Sequence, residues 1–278
     1  MKVPILTYHS ARVLGHDYAD NDHVALARDL RAIHGAGFRI VPLGWIVDWV
    51  RGERADGDVE RAVGLSFDDG CSLDFRPLTH PTWGPQRSFH DILADFRDEV
   101  GRDAQPHLHG TCFVIASPDA RRDIARRCYL GDEWNSDEWW AAAAASELLS
   151  IQNHTWDHNH PEVDETCQKD GHKGRFDVID TFAECDAEIT RAAEYIAAKT
   201  APHWPDLLAY PWGESSAYLR EEFLPRFGDR HRTRAAFGAH DGYVTREANL
   251  WSLPRVGLGA NWTDPDGFRA LLEGALAR

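Results

Sequence analysis

Two short segments of the chain place carboxylates and imidazoles in an order that could bind a metal ion. Asp68 and Asp69 follow an apolar run, residues 62–67, and precede a glycine, which indicates a strand ending in a turn. His154 and His158 are four residues apart, so on a helical turn both imidazoles would point the same way. Two histidines and one carboxylate would leave a fourth position open, as a hydrolytic zinc site requires. The second carboxylate would be free to act as a base, although this physics does not decide which aspartate binds the metal.

Strand-like and helix-like segments alternate along the chain. Apolar runs bounded by polar residues or glycine lie near residues 3–8, 38–41, 62–67, 111–115, 149–153, 207–210, 234–237 and 251–257. Asp22 could cap a helix that closes near Gly35, and residues 177–199 have the spacing of a long amphipathic helix. This alternation predicts an α/β fold with a parallel sheet, and so many repeats favour a barrel.

Two stretches, 71–107 and 159–176, are longer than one crossover needs and are predicted to be insertions. Both leave from loops after the carboxyl ends of strands, which build the active face of a parallel barrel. We therefore expect them to shape a substrate cleft. The chain shows no linker, internal repeat or shift in composition, so residues 1–278 are predicted to form a single domain.

Composition excludes several classes of partner. The 278 residues carry a net charge of −15, which argues against nucleic acid and anionic membrane surfaces and favours a neutral substrate. No apolar run approaches the ~20 residues that span a bilayer. The first residues lack the features of a secretory signal, so cytoplasmic residence is expected. Five widely spaced cysteines fit a reduced compartment without a disulfide framework.

Three motifs together resemble a known family. Phe-Asp-Asp-Gly at 67–70, His-Thr-x-x-His at 154–158 and Ala-Tyr-Pro-Trp-Gly at 209–213 occur in the order found in the polysaccharide deacetylases, the NodB-like carbohydrate esterases of family 4. The resemblance spans residues 1 to about 260. It implies a distorted (β/α) barrel of about seven parallel strands, in a single domain with loop insertions. The implied activity is metal-dependent removal of N-acetyl groups from an amino sugar or an N-acetylglucosamine-containing oligosaccharide or polysaccharide.

The resemblance also implies a division of labour at the metal. Asp69, His154 and His158 correspond to the metal ligands, and Asp68 corresponds to the general base. One divalent ion is expected, with zinc as the default, although cobalt, nickel, manganese or iron could use the same ligands.

The general acid departs from the usual family arrangement. Most members use a histidine in a late Leu-x-Leu-His motif, and residues 253–262 of this chain contain no histidine. One branch, the poly-N-acetylglucosamine deacetylases, opens with a Tyr-His triplet in which the early histidine takes that role. Tyr8-His9-Ser10 resembles this triplet, so His9 is the predicted acid.

The third motif lacks the arginine that orients the base in most of the family. Ala209 occupies that position, and Arg255 is the candidate for the missing cation. Tyr210, Trp212 and Arg255 are candidates for holding the substrate or its oxyanion. The backbone N–H of Trp212 would donate to the oxyanion as a preorganised donor.

Two other functions stay open at this point. The same chemistry could act on a small non-polymeric amide, as in NodB-like amidohydrolases and deformylases. The chain could also be a non-catalytic, carbohydrate-binding relative, although the intact ligand set argues against this. A substrate screen and a test for metal-dependent turnover would separate these hypotheses. Neither polymer length nor oligomeric state is indicated by the sequence.

Overall fold

The computed structural model describes residues 1–168 and 170–277 and is built around one parallel sheet. Seven strands run side by side in the order β10-β1-β3-β6-β7-β8-β9, β2 pairs with β3, and β4 and β5 form a separate antiparallel hairpin. The bounds are β1 (Ile5–Tyr8), β2 (Arg39–Ile40), β3 (Ala62–Phe67), β4 (Leu78–His80), β5 (Gly84–Gln86), β6 (Gly110–Val114), β7 (Leu149–Asn153), β8 (Leu207–Ala209), β9 (Ala235–Phe237) and β10 (Val256–Gly257). Each of the eight predicted apolar runs contains one strand of the parallel sheet. The predicted α/β fold with about seven parallel strands is confirmed.

Helices connect most of these strands and cover the sheet. They are α1 (Asp22–Gly35), α2 (Leu43–Val50), α3 (Asp56–Val59), α4 (Phe89–Val100), α5 (Pro118–Arg127), α6 (Trp140–Ala144), α7 (Phe182–Cys185), α8 (Arg191–Thr200), α9 (Leu224–Arg226), α10 (Gly228–His231) and α11 (Pro265–Leu276). None of the helices in the described part of the chain combines the length and the apolar character needed to cross a bilayer.

A short segment, residues 253–257, joins the two edges of the sheet. Leu253 forms a parallel bridge with Phe237 of β9, and Val256 pairs with Leu6 of β1. The ring of strands is therefore closed through one stretch of five residues. This closure brings the end of the chain next to its first strand.

Strand β3, which pairs with β1, β2 and β6, is buried along its whole length, as expected for a parallel sheet covered on both faces. A Cβ at Gly64 would collide with the Leu43 side chain at the start of α2, so glycine allows that helix to pack directly on the strand. The strand is fixed by this packing up to Phe67. The residues after Phe67 therefore lie at the carboxyl edge of the sheet.

Two helix boundaries differ from the sequence prediction. The cap of α1 is Asn21, whose side chain accepts hydrogen bonds from the amides of His23 and Val24, so the assignment of Asp22 as the cap was wrong by one residue. The helix expected over 177–199 begins at Phe182, after a capping box at its start. A π-helical turn, Asp186–Thr190, then joins α7 to α8.

The first predicted insertion forms the β4–β5 hairpin followed by α4. The second, 159–176, includes Lys169, which lies outside the described residues. Its remaining part forms turns that follow His158.

A buried carboxyl group ties α1 to β1 and to the C-terminal region. Asp29 accepts hydrogen bonds from the hydroxyls of Tyr8, at 2.8 Å, and Tyr18, at 2.6 Å. The Trp262 indole N–H in turn donates to the Tyr18 hydroxyl at 3.0 Å. Burial raises the pKa of Asp29 to about 7, even though the two hydroxyl donors act to lower it.

This group makes stability depend on pH. The unfolded Asp29 loses its proton near pH 3.8, whereas the folded one keeps it to about pH 7. Between these values the unfolded state binds fewer protons, so the free energy of unfolding falls as pH rises, by on the order of 4 kcal/mol. Urea unfolding at about pH 5 and about pH 8 should show this fall in the parent and a smaller one in Asp29→Asn. Equal pH dependence in both proteins would mean that Asp29 ionises normally in the folded state.

Candidate metal centre and active site

Asp68 and Asp69 lie at the carboxyl edge of the sheet, directly after β3. Asp69 and Gly70 both have φ of 73°, a left-handed conformation that turns the chain sharply. A Cβ on Gly70 would lie 2.8 Å from the Val114 side chain at the end of β6, so only glycine fits here. This turn directs the Asp69 carboxylate over the end of the barrel.

The two histidines follow β7 on an irregular loop and not on the helical turn that their spacing would also allow. Thr155 and His158 have φ of 70° and 64°, which is incompatible with a right-handed helix. The loop is held locally, because the His158 amide donates to the Thr155 hydroxyl at 3.1 Å and the Thr155 amide donates to the Asn153 side chain at 2.8 Å. Both imidazoles still reach the same place, with ring centroids 4.8 Å apart.

Asp69, His154 and His158 converge on one point. Oδ1 of Asp69 lies 3.6 Å from Nε2 of His154 and 3.7 Å from Nε2 of His158. One ligand atom from each residue lies within 4.8 Å of the others, a spacing suited to a single ion. The structure thus brings together the three ligands predicted from the sequence.

The donor chemistry of these side chains also fits a divalent metal. Nδ1 of His154 lies 2.8 Å from the Ala209 carbonyl oxygen, which can only accept, so Nδ1 carries the proton. The lone pair is therefore on Nε2, the atom that lies near Asp69. In metal sites, a hydrogen bond to the other ring nitrogen commonly fixes a ligand histidine in this way. Burial lowers the pKa of His158 to about 3, which keeps that imidazole neutral.

The other carboxylate, Asp68, is clamped by Arg255. Two parallel hydrogen bonds of 2.7 and 2.8 Å join the guanidinium to Oδ1 and Oδ2, and both side chains are buried. Arg255 also donates to the Gly238 carbonyl at 3.0 Å and to the Ser66 hydroxyl at 3.2 Å. Burial acts to raise the pKa of Asp68, but the charges of Arg255 and His154 outweigh it and hold that pKa below its usual value. Arg255, the cation suggested from the sequence because Ala209 replaces the motif arginine, is therefore paired directly with Asp68.

A cavity of about 290 Å³ is lined by Asp68 and the three predicted ligands, and also by His9 and Trp212. His9 follows β1, and its amide donates to the Asp22 carboxylate at 2.8 Å. Trp212 adopts φ of 53° and sets its indole edge-on to His158, with ring centroids 4.4 Å apart. As the second residue of a short helical turn, Trp212 has an amide without a partner inside that turn.

Tyr210 is not brought to this cavity. Its side chain is buried in a separate apolar cluster with Leu208, on the opposite face of the strand from Ala209. Its hydroxyl donates to the Trp251 carbonyl at 2.8 Å. The prediction that Tyr210 contacts substrate or oxyanion therefore has no geometric support, and its place in the motif is explained by packing.

Among the residues that the sequence did not assign, His160 and Asn261 also line the cavity. The His160 ring lies 5.7 Å from that of His158, and its Nδ1 accepts from the Glu162 amide at 3.2 Å. The only sequence signal for His160 was its position two residues after His158, a predicted metal ligand. Asn261 accepts from the Gly257 amide at 2.8 Å, and nothing in its sequence context indicates the cavity.

Solved structures with the same architecture identify the fold. The deacetylase PplD of Streptococcus pyogenes, in complex with acetate, matches with a TM-score of 0.64 and 14% identity, covering 100% of this chain and 99% of its own. A de-N-acetylase from Aggregatibacter actinomycetemcomitans gives 0.62 and 13%, covering 96% and 100%, and the BpsB deacetylase domain of Bordetella bronchiseptica gives 0.62 and 17%, covering 92% and 96%. The chain shares the fold of these deacetylases. No protein-family model and no curated protein matches the sequence.

Proposed function

We propose that this protein is a metal-dependent hydrolase that removes N-acetyl groups from an amino sugar or an N-acetylglucosamine-containing saccharide. The observation that carries the proposal is the convergence of Asp69, His154 and His158 beside a carboxylate clamped by arginine. This set offers three ligands and a separate base in one cavity. The shared fold with deacetylases supports the same reaction class.

Asp69, His154 and His158 would hold one divalent ion, with zinc as the default and cobalt, nickel, manganese or iron as alternatives. When bound, this ion would act as a Lewis acid toward the acetamide carbonyl and lower the pKa of an attacking water. Asp68 accepts the proton of that water at a carboxylate oxygen. Arg255 keeps this carboxylate oriented and ionised through its two hydrogen bonds.

Two further groups complete the reaction on the substrate. The Trp212 amide donates a hydrogen bond to the oxyanion as the carbonyl carbon becomes tetrahedral. His9 then donates a proton to the leaving nitrogen as the C–N bond breaks. Water and the acetamide are thereby converted into acetate and a free amine.

The cavity and the charge of the chain favour a neutral sugar. A volume of about 290 Å³ lies at the lower end of the size of ligand sites, which suits one sugar residue or a small amide rather than several residues at once. The half-exposed indole of Trp212 presents an apolar surface at the cavity on which a pyranose ring could pack. A net charge of −15 disfavours anionic polymers.

A substrate screen with the zinc-loaded protein tests this proposal. N-acetylglucosamine, its β-1,4 and β-1,6 oligomers and a panel of cyclic, linear and formyl amides would be compared by release of free amine. We expect turnover on the acetylated sugars that stops on chelation and returns with metal. Turnover only on small amides would assign the amidohydrolase alternative. Bound metal with no turnover, together with sugar binding, would assign the non-catalytic alternative.

His9→Ala is expected to lower the rate on acetamides by about 10²–10³-fold, because the leaving amine must be protonated. Acetate esters of activated phenols should lose less than about tenfold, since their leaving groups depart without a proton. Steady-state rates on both substrates measure this difference. His160→Ala, in the same cavity, serves as the comparison and should not discriminate between them. Equal losses on amide and ester in His9→Ala would show that another group is the acid.

A further inference from the structure

A second cavity, away from the metal centre, lies between α1, α4 and the β4–β5 hairpin. Its volume is about 640 Å³, against about 290 Å³ for the cavity at the metal centre. This volume is within the range of small-molecule sites. Its lining is largely apolar, and the side chains that provide this surface are those of Val24, Ala27, Trp83, Pro85, Ile92 and Phe96.

The cavity is preformed because its walls are fastened to each other. The Asn21 side chain, at the start of α1, donates to the Gln86 side chain of the hairpin at 3.0 Å. Gln86 in turn donates to the carbonyls of Trp83 and Gly84, both at 3.1 Å. The hairpin is therefore fastened to the start of α1. A ligand entering this space would not need to order it first.

Several polar side chains in the lining already have partners, although Nδ1 of the buried His23 has none. Asn21 donates to Gly15 and Gln86 and accepts from two helix amides. Arg87 is paired with Asp95, and Arg31 is paired with Glu99. A sugar would need free donors and acceptors for its hydroxyl groups, and these saturated side chains do not offer them.

Arg28 differs from Arg31 and Arg87, the two other arginines in the lining. It lines the cavity and is exposed to solvent, which places it at the mouth. Among the arginines that the structure describes, Arg28 alone has a side chain without a hydrogen bond, ion pair or aromatic partner. In a chain with 45 acidic and 30 basic residues, an unpaired guanidinium beside an apolar cavity is a specific feature. It suits a carboxylate, to which arginine can donate two parallel hydrogen bonds.

We propose that this cavity binds a medium-chain carboxylate, with the apolar chain between α1 and α4 and the carboxylate on Arg28. The proposal is independent of the deacetylase activity and uses none of the residues at the metal centre. The apolar chain gains stability from leaving water, and the charge fixes its direction. Acetate has no apolar chain to bury and is not a ligand of this cavity.

Calorimetric titration with decanoate, decan-1-ol and acetate tests the proposal on the metal-loaded protein. We expect decanoate to bind more tightly than decan-1-ol. Arg28→Gln should weaken decanoate binding by about tenfold, the effect of losing one charge-assisted pair, and leave decan-1-ol unchanged. Arg51→Gln, an exposed arginine outside the cavity, is the matched control and should bind decanoate as the parent does.

Ala27→Phe provides a second test, because it fills the cavity and should weaken both long-chain ligands. Equal affinity of the parent for decanoate and decan-1-ol would overturn the proposal. So would decanoate binding that is the same in Arg28→Gln and Arg51→Gln. Decanoate binding that disappears in His154→Ala but survives in Arg28→Gln would place the carboxylate on the metal and also overturn it.

Discussion

Asp68→Asn is expected to lower the turnover of acetylated substrate by about 10²–10⁴-fold while the protein keeps its metal. The amide cannot accept the proton of the attacking water, whereas Asp69, His154 and His158 are unchanged. The carbonyl oxygen of the new side chain can still accept from Arg255, so the buried guanidinium keeps one of its two hydrogen bonds to residue 68. Rates would be measured with saturating substrate, and metal content by elemental analysis of the same sample.

Asp74→Asn is the matched control for this experiment. Asp74 is also fully buried close to the site, and its carboxyl accepts from the Ser10 hydroxyl at 2.5 Å. Burial raises the pKa of Asp74 and favours its neutral acid, which asparagine resembles closely. We expect near-parent turnover in Asp74→Asn. A near-parent rate in Asp68→Asn would mean that another group is the base.

His154→Ala is expected to abolish metal retention and activity together. It removes one of three ligands and leaves a pair that cannot enclose the ion. Substitutions of groups that only support metal ligands already cost about 10–100-fold in affinity, so loss of a ligand should cost more than about 100-fold. Zinc content after loading and gel filtration would measure this directly.

His160→Ala controls for a general loss of structure in this loop. His160 lies beside His158 but is not one of the three converging ligands. The His160→Ala protein should retain one equivalent of metal. Full zinc occupancy in His154→Ala would show that His154 is not a ligand. Loss of zinc in His160→Ala would show that His160 is one.

The sequence predicted the parallel sheet and the convergence of the three candidate ligands, for a simple physical reason. Parallel strands bring their carboxyl ends to one edge, so chemistry-bearing residues after β1, β3 and β7 must meet there. That rule placed His9, Asp69 and His154 together without knowledge of any contact. It required only the apolar runs and the residues that follow them.

Local backbone geometry was not predictable in the same way. The spacing of His154 and His158 is equally compatible with a helical turn and with the observed loop. The decision depends on left-handed conformations at Thr155 and His158, which non-glycine residues adopt only when the surrounding structure holds them there. The choice of Asn21 over Asp22 as the cap of α1 is of the same kind, since either side chain could cap the helix.

Contacts between distant parts of the chain were partly predictable. Arg255 was suggested as a substitute for the missing motif arginine, and its pairing with Asp68 across 187 positions results from closure of the barrel. Tyr210, directly after β8, packs in the same cluster as Leu208, as alternation along a strand predicts for residues two positions apart. Asn261 depends on the path of the loop after β10, for which the sequence carries no pattern.

Closure of the barrel through residues 253–257 has a consequence for how the protein would lose activity. Only two residue pairs join β10 to β1, and short edge segments open at lower free energy than the rest of a fold. Such opening withdraws Arg255 from Asp68 but leaves Asp69, His154 and His158 in place. During heating or limited proteolysis, inactivation should therefore precede release of the ion. The fraction of metal-loaded molecules would then overstate the fraction that is active.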